Sequence, residues 1–392
     1  MTMLRTGGHA ASPEFRTTAF YATLFMVAGA MTVYGGIWMS DKGLSDDQIG
    51  IVNAAPIFAM LVLNIVIGRI ADRASDWRQV IVLGAVGAGV LPIGLIWADG
   101  FWAILVFWTL GSICAAAMIP VLDAAATRMT ARRGTDFGAM RAWGTIGYLV
   151  VLLGTGVMVG SEWGPAAFIW VVVGLGLLRS LVGLTLPRFR ADPGEAQVRR
   201  GAGRLGEVMR PWFLLPLVGW AMISATHLIL AAFQGLLFER QGIGTEWIGI
   251  IIALGALSET VMFFAYRRYF SGFRPRTLIL ASAVVSAMRW AAMALEPGLA
   301  GLIALQLLHG ITYGLGFMAC LAFIAKWTSE DIAAEAQGFF VVLQQGMSVI
   351  ALFGFGMLAE RFGAQSYLAS AAFAAVGAVL VWVSLRLRQP GG

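Results

Sequence analysis

Apolar residues fill this chain in long blocks, and short polar turns divide them. Twelve blocks reach the length of about twenty residues that a helix needs to cross a bilayer. They lie at 17–39, 48–70, 79–98, 101–127, 141–160, 164–186, 211–238, 246–268, 275–295, 299–326, 336–359 and 364–387. The pattern predicts an all-α polytopic membrane protein with twelve transmembrane helices.

The turns between the blocks alternate in charge. Arg5 and Arg16 precede the first block, and Arg69, Arg73 and Arg78 follow the second. Arg128, Arg132, Arg133 and Arg141 follow the fourth, and Arg267, Arg268, Arg274 and Arg276 the eighth. The intervening turns hold Asp41, Asp46, Asp47, Asp99, Glu162, Glu239, Glu246, Glu296 and Glu360, with few bases. Basic turns stay in the cytoplasm, so both termini are expected there, in an inner (plasma) membrane. Residues 1–16 are polar and weakly basic, and the first block lacks a small-residue cleavage site. It is expected to remain as the first span.

A long Arg-, Gly- and Pro-rich turn, 187–210, lies at the middle. It reads as a cytoplasmic linker between two six-helix halves, 1–186 and 211–392. An internal repeat supports the halves: KGLSDDQIGIV at 42–52 aligns with QGIGTEWIGII at 241–251, pairing Gly43 with Gly242. The offset recurs at Gly138 with Gly338 and at Gly156 with Gly356. A parallel repeat of this kind is the pattern of a transporter whose halves rock about a central site.

Composition agrees. The chain is 59% hydrophobic and 12% charged, with a mean hydropathy of +0.80, against about 25% charged in soluble domains. The net charge of +6 sits in the turns and needs no nucleic acid to explain it. Cys114 and Cys320 are far apart and have no metal-ligand spacing. No phosphate-binding loop, paired-histidine metal motif or serine nucleophile elbow is present. The expectation is no enzyme, no cofactor and no metal, with a small solute, protons and the bilayer as partners of a monomer. Glycines such as Gly154, Gly156, Gly160, Gly310 and Gly314 suit close helix packing. Trp38, Trp97, Trp102, Trp163 and Trp327 near block ends suit interfacial anchoring.

Chemistry concentrates in two places. The first is the turn after the second block, GRIADRASDWR. Gly68, Asp72, Arg73 and Arg78 there match the loop signature Gly-x-x-x-Asp-Arg of the major facilitator superfamily, while Ser75 and Trp77 depart from it. The stretch resembles that family's cytoplasmic gate. Asp123, behind Pro120, and Arg141 are expected to join it as a gate or structural ion pair.

The second place is the membrane interior, where a charge is costly and faces a partner or a wet cavity. Asp123, His227, Glu259, Arg289 and His309 lie inside blocks. A carboxyl such as Glu259 can take up a proton to shed its charge at that depth. Arg289 stays cationic and needs an anion, either Glu259 or a substrate carboxylate. His309 can relay a proton or donate a hydrogen bond to substrate. The proton-coupling candidates are therefore Glu259, Arg289 and His309. His227 stands in a polar stripe with Ser224, Thr226 and Gln234. With Arg289, Asn53, Gln306, Gln344 and Gln345, His227 and Gln234 make the candidate substrate-binding set.

Further stretches resemble one branch of the superfamily, the phenylpropionate permease group, related to lactose and nucleoside proton symporters. They are IPVLDAA at 119–125, DFGAMRAWGTIGY at 136–148, GALSE at 255–259, AMRWAAM at 287–293 and QLLHGITYG at 306–314. The resemblance implies proton symport of a small organic solute, with an aromatic carboxylate favoured. It leaves sugar, nucleoside or siderophore uptake open, as well as export by proton antiport. A membrane sensor without transport, or a membrane-embedded enzyme, is the alternative of another class, and the short loops speak against both.

Overall fold

The computed structural model describes residues 12–159, 162, 164–190, 205–243 and 245–388. Within them the chain is helical and holds no strand. Two compact units divide it, Met1–Val198 and Arg199–Gly392. The middle of the 187–210 linker, at 191–204, lies outside the described residues, as do 1–11, Gly160 and Trp163.

The first unit holds α1 (Pro13–Asp41), α2 (Asp46–Arg73), α3 (Trp77–Val90), α4 (Phe101–Arg133), α5 (Phe137–Val159) and α6 (Ala167–Leu184). The second holds α7 (Pro211–Arg240), α8 (Thr245–Tyr269), α9 (Pro275–Met293), α10 (Leu299–Trp327), α11 (Ala333–Phe362) and α12 (Tyr367–Arg386). Among the described residues nine helices are long and apolar enough to cross a membrane, or ten if a bent pair within α1 counts as one span. The protein is thus a multi-pass membrane protein.

Local chemistry sets the helix ends. Ser45 and Gln48 form a reciprocal capping box at the start of α2. Asp76 caps α3 through the Arg78 amide at 2.8 Å. The repeat pair Gly43 and Gly242 ends α1 and α7 in one way. Both have positive φ, +81° and +76°. The next amides, Leu44 and Ile243, reach back to Met39 O at 3.1 Å and Phe238 O at 3.0 Å. That is the Schellman closure, which needs a residue free of a Cβ clash at the left-handed position.

Each unit has its own core. Trp38, Trp108 and Phe168 centre the first, and Trp290, Phe355 and Tyr367 the second. Trp38 is 1% exposed, so it belongs to the core and not to an interfacial belt. Its ring packs 5.7 Å from Phe168. Trp97 and Trp102 are both 74% exposed, as anchors would be, while Trp327 packs edge-on against Trp212 at 4.7 Å.

Small residues let helices touch. A Cβ on Gly310 would stand 2.4 Å from the Ser258 carbonyl oxygen, so α8 and α10 meet backbone to backbone. Gly154 has nothing within 4 Å of its missing Cβ and makes no such contact.

Candidate functional site

The second unit gathers a cluster of buried polar side chains where α10 loses its regular form. Residues Gly310–Leu315 form a π-helical turn inside α10. A wider turn leaves carbonyls without their usual partners, and such bulges recur at functional sites. Here α9 supplies the donors. The Ser282 hydroxyl lies 2.9 Å from both Ile311 O and Thr312 O, and Ser286 lies 3.4 Å from Thr312 O.

The turn places Gln306, His309 and Thr312, three residues apart, on one side of α10 against Arg289 of α9. Arg289 is 1% exposed. Its Nη1 donates to Thr312 Oγ1 at 2.9 Å, and its Nη2 donates to Gln306 Oε1. The same Nη1 lies 3.4 Å from His309 Nδ1. Arg289 Nε has no hydrogen-bond partner. The guanidinium also lies 4.8 Å from the Trp290 ring centre.

His309 spans the gap to the acid. Its Nε2 is 3.4 Å from Glu259 Oε2 of α8. Because Nη1 of Arg289 can only donate, Nδ1 of His309 must offer its lone pair, which leaves the proton on Nε2, facing Glu259. Arg289 and Glu259 therefore do not pair directly. Of the two anions expected against Arg289, Glu259 or a substrate carboxylate, the first is reached through the His309 imidazole.

His227 closes the network from α7. Its Nδ1 is 2.9 Å from Ile223 O and must donate to it. Nε2 then accepts from the Thr312 hydroxyl at 2.9 Å. Thr312 thus accepts from Arg289 and donates to His227. Rings surround the polar line: His227 and His309 are 5.2 Å apart, and His309 stacks on Tyr313 at 5.6 Å. Trp290 donates from Nε1 to Thr226 at 2.9 Å, on the stripe that carries His227.

The other predicted residues divide. Gln306 belongs to the network. Gln344 donates to Ser224 at 3.0 Å, joining α11 to α7, and Gln345 lies beside it on α11. The side chain of Gln234 lies outside the described residues. Asn53 is exposed in the first unit and donates back to Ile49 O of its own helix at 3.0 Å.

The gate residues separate by their partners. Asp72 accepts from the Trp77 indole at 3.0 Å. Arg78 donates to Leu186 O and Leu184 O, each at 2.7 Å, and so ties the start of α3 to the end of α6. Gly68 is buried and Arg73 is exposed. Asp123 forms a different cluster: it is 5% exposed and accepts from the Tyr21 hydroxyl at 2.6 Å. Arg141 lies above the Phe25 ring at 4.0 Å.

Sequence reasoning missed three residues. Thr312 is the hub of the network, and its spacing of three from His309 was the available signal. Asp76 accepts from the amides of Arg78, Phe189 and Arg190. Arg179 is a base inside the sixth block, 1% exposed, and the rule that picked out Arg289 applies to it equally.

The model of the MFS_1 like family matches residues 15–369. The chain is 24% identical over 353 residues to the "Probable 3-phenylpropionic acid transporter" of Escherichia coli (strain K12), covering 88% of this chain and 90% of that protein. It is 26% identical over 348 residues to the maltose permease of Geobacillus stearothermophilus, covering 88% and 87%. Its fold resembles the crystal structure of the E. coli fucose:proton symporter, with a TM-score of 0.70 at 14% identity over 96% of this chain and 100% of that one.

Proposed function

The chain belongs to the MFS_1 like family of major facilitator transporters, and on that premise we propose that it carries a small organic anion together with a proton by alternating access. An aromatic carboxylate is the favoured substrate. The observation that carries the reading is the line Arg289, His309, Glu259.

Its charge arithmetic supports symport. With Glu259 ionised, His309 neutral and Arg289 cationic, the cluster carries no net charge. One proton alone makes it positive, and one bound monoanion alone makes it negative. Proton and anion together restore neutrality. Uncompensated charge at membrane depth is costly, so the empty and doubly loaded states are the ones that can reorient. Arg289 holds the carboxylate, Glu259 takes the proton and His309 links them. A relative named for 3-phenylpropionic acid supports the substrate class of this reading. The basic turns put both termini in the cytoplasm of an inner-membrane protein.

The test is transport by the purified protein in proteoliposomes. Glu259→Gln fixes that side chain as neutral. It is expected to abolish accumulation driven by a proton gradient while leaving exchange of substrate across the membrane intact. Full accumulation by this variant would remove Glu259 from coupling. Uptake of sugars or nucleosides with no response to acids would move the substrate to a neutral class.

A further inference from the structure

Arg179 stands in the first unit with nothing to hold. It lies on α6 and is 1% exposed. Its Nε and Nη2 find no hydrogen-bond partner. Packing fixes the surrounding backbone. Ser180 Oγ donates to Ala85 O at 2.8 Å, and a Cβ on Gly89 would stand 2.5 Å from Gly176 O, so α3 and α6 are locked together beside it. The ionisable neighbour of Arg179 is Cys114, whose thiol is a weak acceptor and meets neither nitrogen. Of the buried acids of this unit, Asp123 is bonded to Tyr21 and influenced by Arg141, and Asp76 accepts from the amides of Arg78, Phe189 and Arg190.

The same arginine lines a partly open cavity of about 220 Å³ among α1, α3, α4 and α6. Phe25, Pro92, Trp108 and Ile119 give it an apolar, partly aromatic wall, and Ser112 adds a hydroxyl. Since about 10–15 Å³ of such space suffices for one water, the cavity holds several waters and has room for a small acid. A buried guanidinium keeps its charge and is satisfied best by the two oxygens of a carboxylate.

We propose that this cavity binds an apolar-bodied monocarboxylate, with Arg179 taking the carboxylate and the Phe25 and Trp108 wall taking the body. The acid comes either from solution or from the bilayer as a free fatty acid. The site lies wholly within the first unit and goes beyond the transport reading, because it requires neither Glu259 nor Arg289.

Calorimetric binding to the full chain carrying Arg289→Gln, so that the transport site takes no carboxylate, in phosphatidylcholine nanodiscs tests it. The probes are 3-phenylpropionate, octanoate and the neutral 3-phenylpropanamide. Arg179→Gln is expected to weaken acid binding at least about tenfold and to leave the amide nearly unchanged. Ala116→Phe fills the cavity without touching the charge and is expected to remove acid binding too; it serves where Arg179→Gln folds poorly. Binding of either acid that is lost in these variants supports the site. Preference for 3-phenylpropionate identifies a solute, and preference for octanoate identifies a lipid source. In that Arg289→Gln background, acid binding that survives both further substitutions, or no acid binding before they are made, overturns the proposal. Because binding is read without transport, failure of proton coupling and failure of this site are separate results.

Discussion

Arg289 donates to the Thr312 hydroxyl at 2.9 Å, and that contact links its guanidinium to the first of two histidines. With its oxygen occupied by Arg289, Thr312 turns its own proton to His227 Nε2 at 2.9 Å. The same guanidinium nitrogen faces His309 Nδ1 and leaves the His309 proton toward Glu259. One hydroxyl and one guanidinium thus order a network across α7, α8, α9 and α10.

Thr312→Val keeps the shape and removes the hydroxyl. It leaves an Arg289 N–H and the His227 acceptor unpaired in a buried site. Each such loss costs about 1–3 kcal/mol. A lowered thermal midpoint of the detergent-purified protein is expected, with Thr312→Ser close to the parent. Equal midpoints for parent and Val variant would mean that water or a rotamer change replaces the contact.

Arg289→Lys separates charge from geometry. A lysine ammonium is a point charge and cannot hold Thr312 and Gln306 in the planar fork that the guanidinium offers. Affinity for a carboxylate substrate is expected to fall at least about tenfold, with neutral ligands little affected. Competition binding with an acid and its amide checks this. Equal loss for both ligands would assign Arg289 to structure alone.

Gly310→Ala probes the approach of α8 to α10. The new methyl group would stand 2.4 Å from the Ser258 carbonyl oxygen, a backbone atom that cannot swing away. The helices must separate, and overpacking of this kind costs about 1–3 kcal/mol. Gly154→Ala, at a position with nothing within 4 Å, serves as the control and is expected to be neutral. Thermal unfolding of the two variants side by side decides the point.

Asp76→Ala removes an acceptor shared by the amides of Arg78, Phe189 and Arg190. It costs α3 its cap, about 0.5–2 kcal/mol, and frees the chain just after α6. Faster proteolysis near Phe189 and Arg190 is the expected readout, since that segment is held down through this carboxylate. An unchanged cleavage rate would show that Arg132, which donates to Phe189 O, and Arg190, which donates to Asp72 O, hold the segment by themselves.

The long elements were legible because bilayer length and apolarity are properties of consecutive residues. Glu259, Arg289 and His309 stood out for a related reason: an ionisable group in an apolar run is visible without knowing its neighbours. Thr312 did not stand out, since threonine is common in membrane helices and shows its role only when α9 faces α10. Arg179 was overlooked although its signal was of the same kind as that of Arg289. Trp38 was misassigned because its nearness to a block end says nothing about which face of α1 is covered.

By itself the sequence determined the helical class, the two repeated halves, the matching glycine turns at Gly43 and Gly242, and which charges must be buried. Those features follow from runs, periods and local turn chemistry. Tertiary structure alone decided which buried groups meet. It set His309 between Arg289 and Glu259, made Thr312 their hub through a π-helical turn, and left Arg179 facing an apolar cavity. Hydrogen bonds between helices depend on the rotation and register of each helix against the next, and those are set by packing many side chains at once.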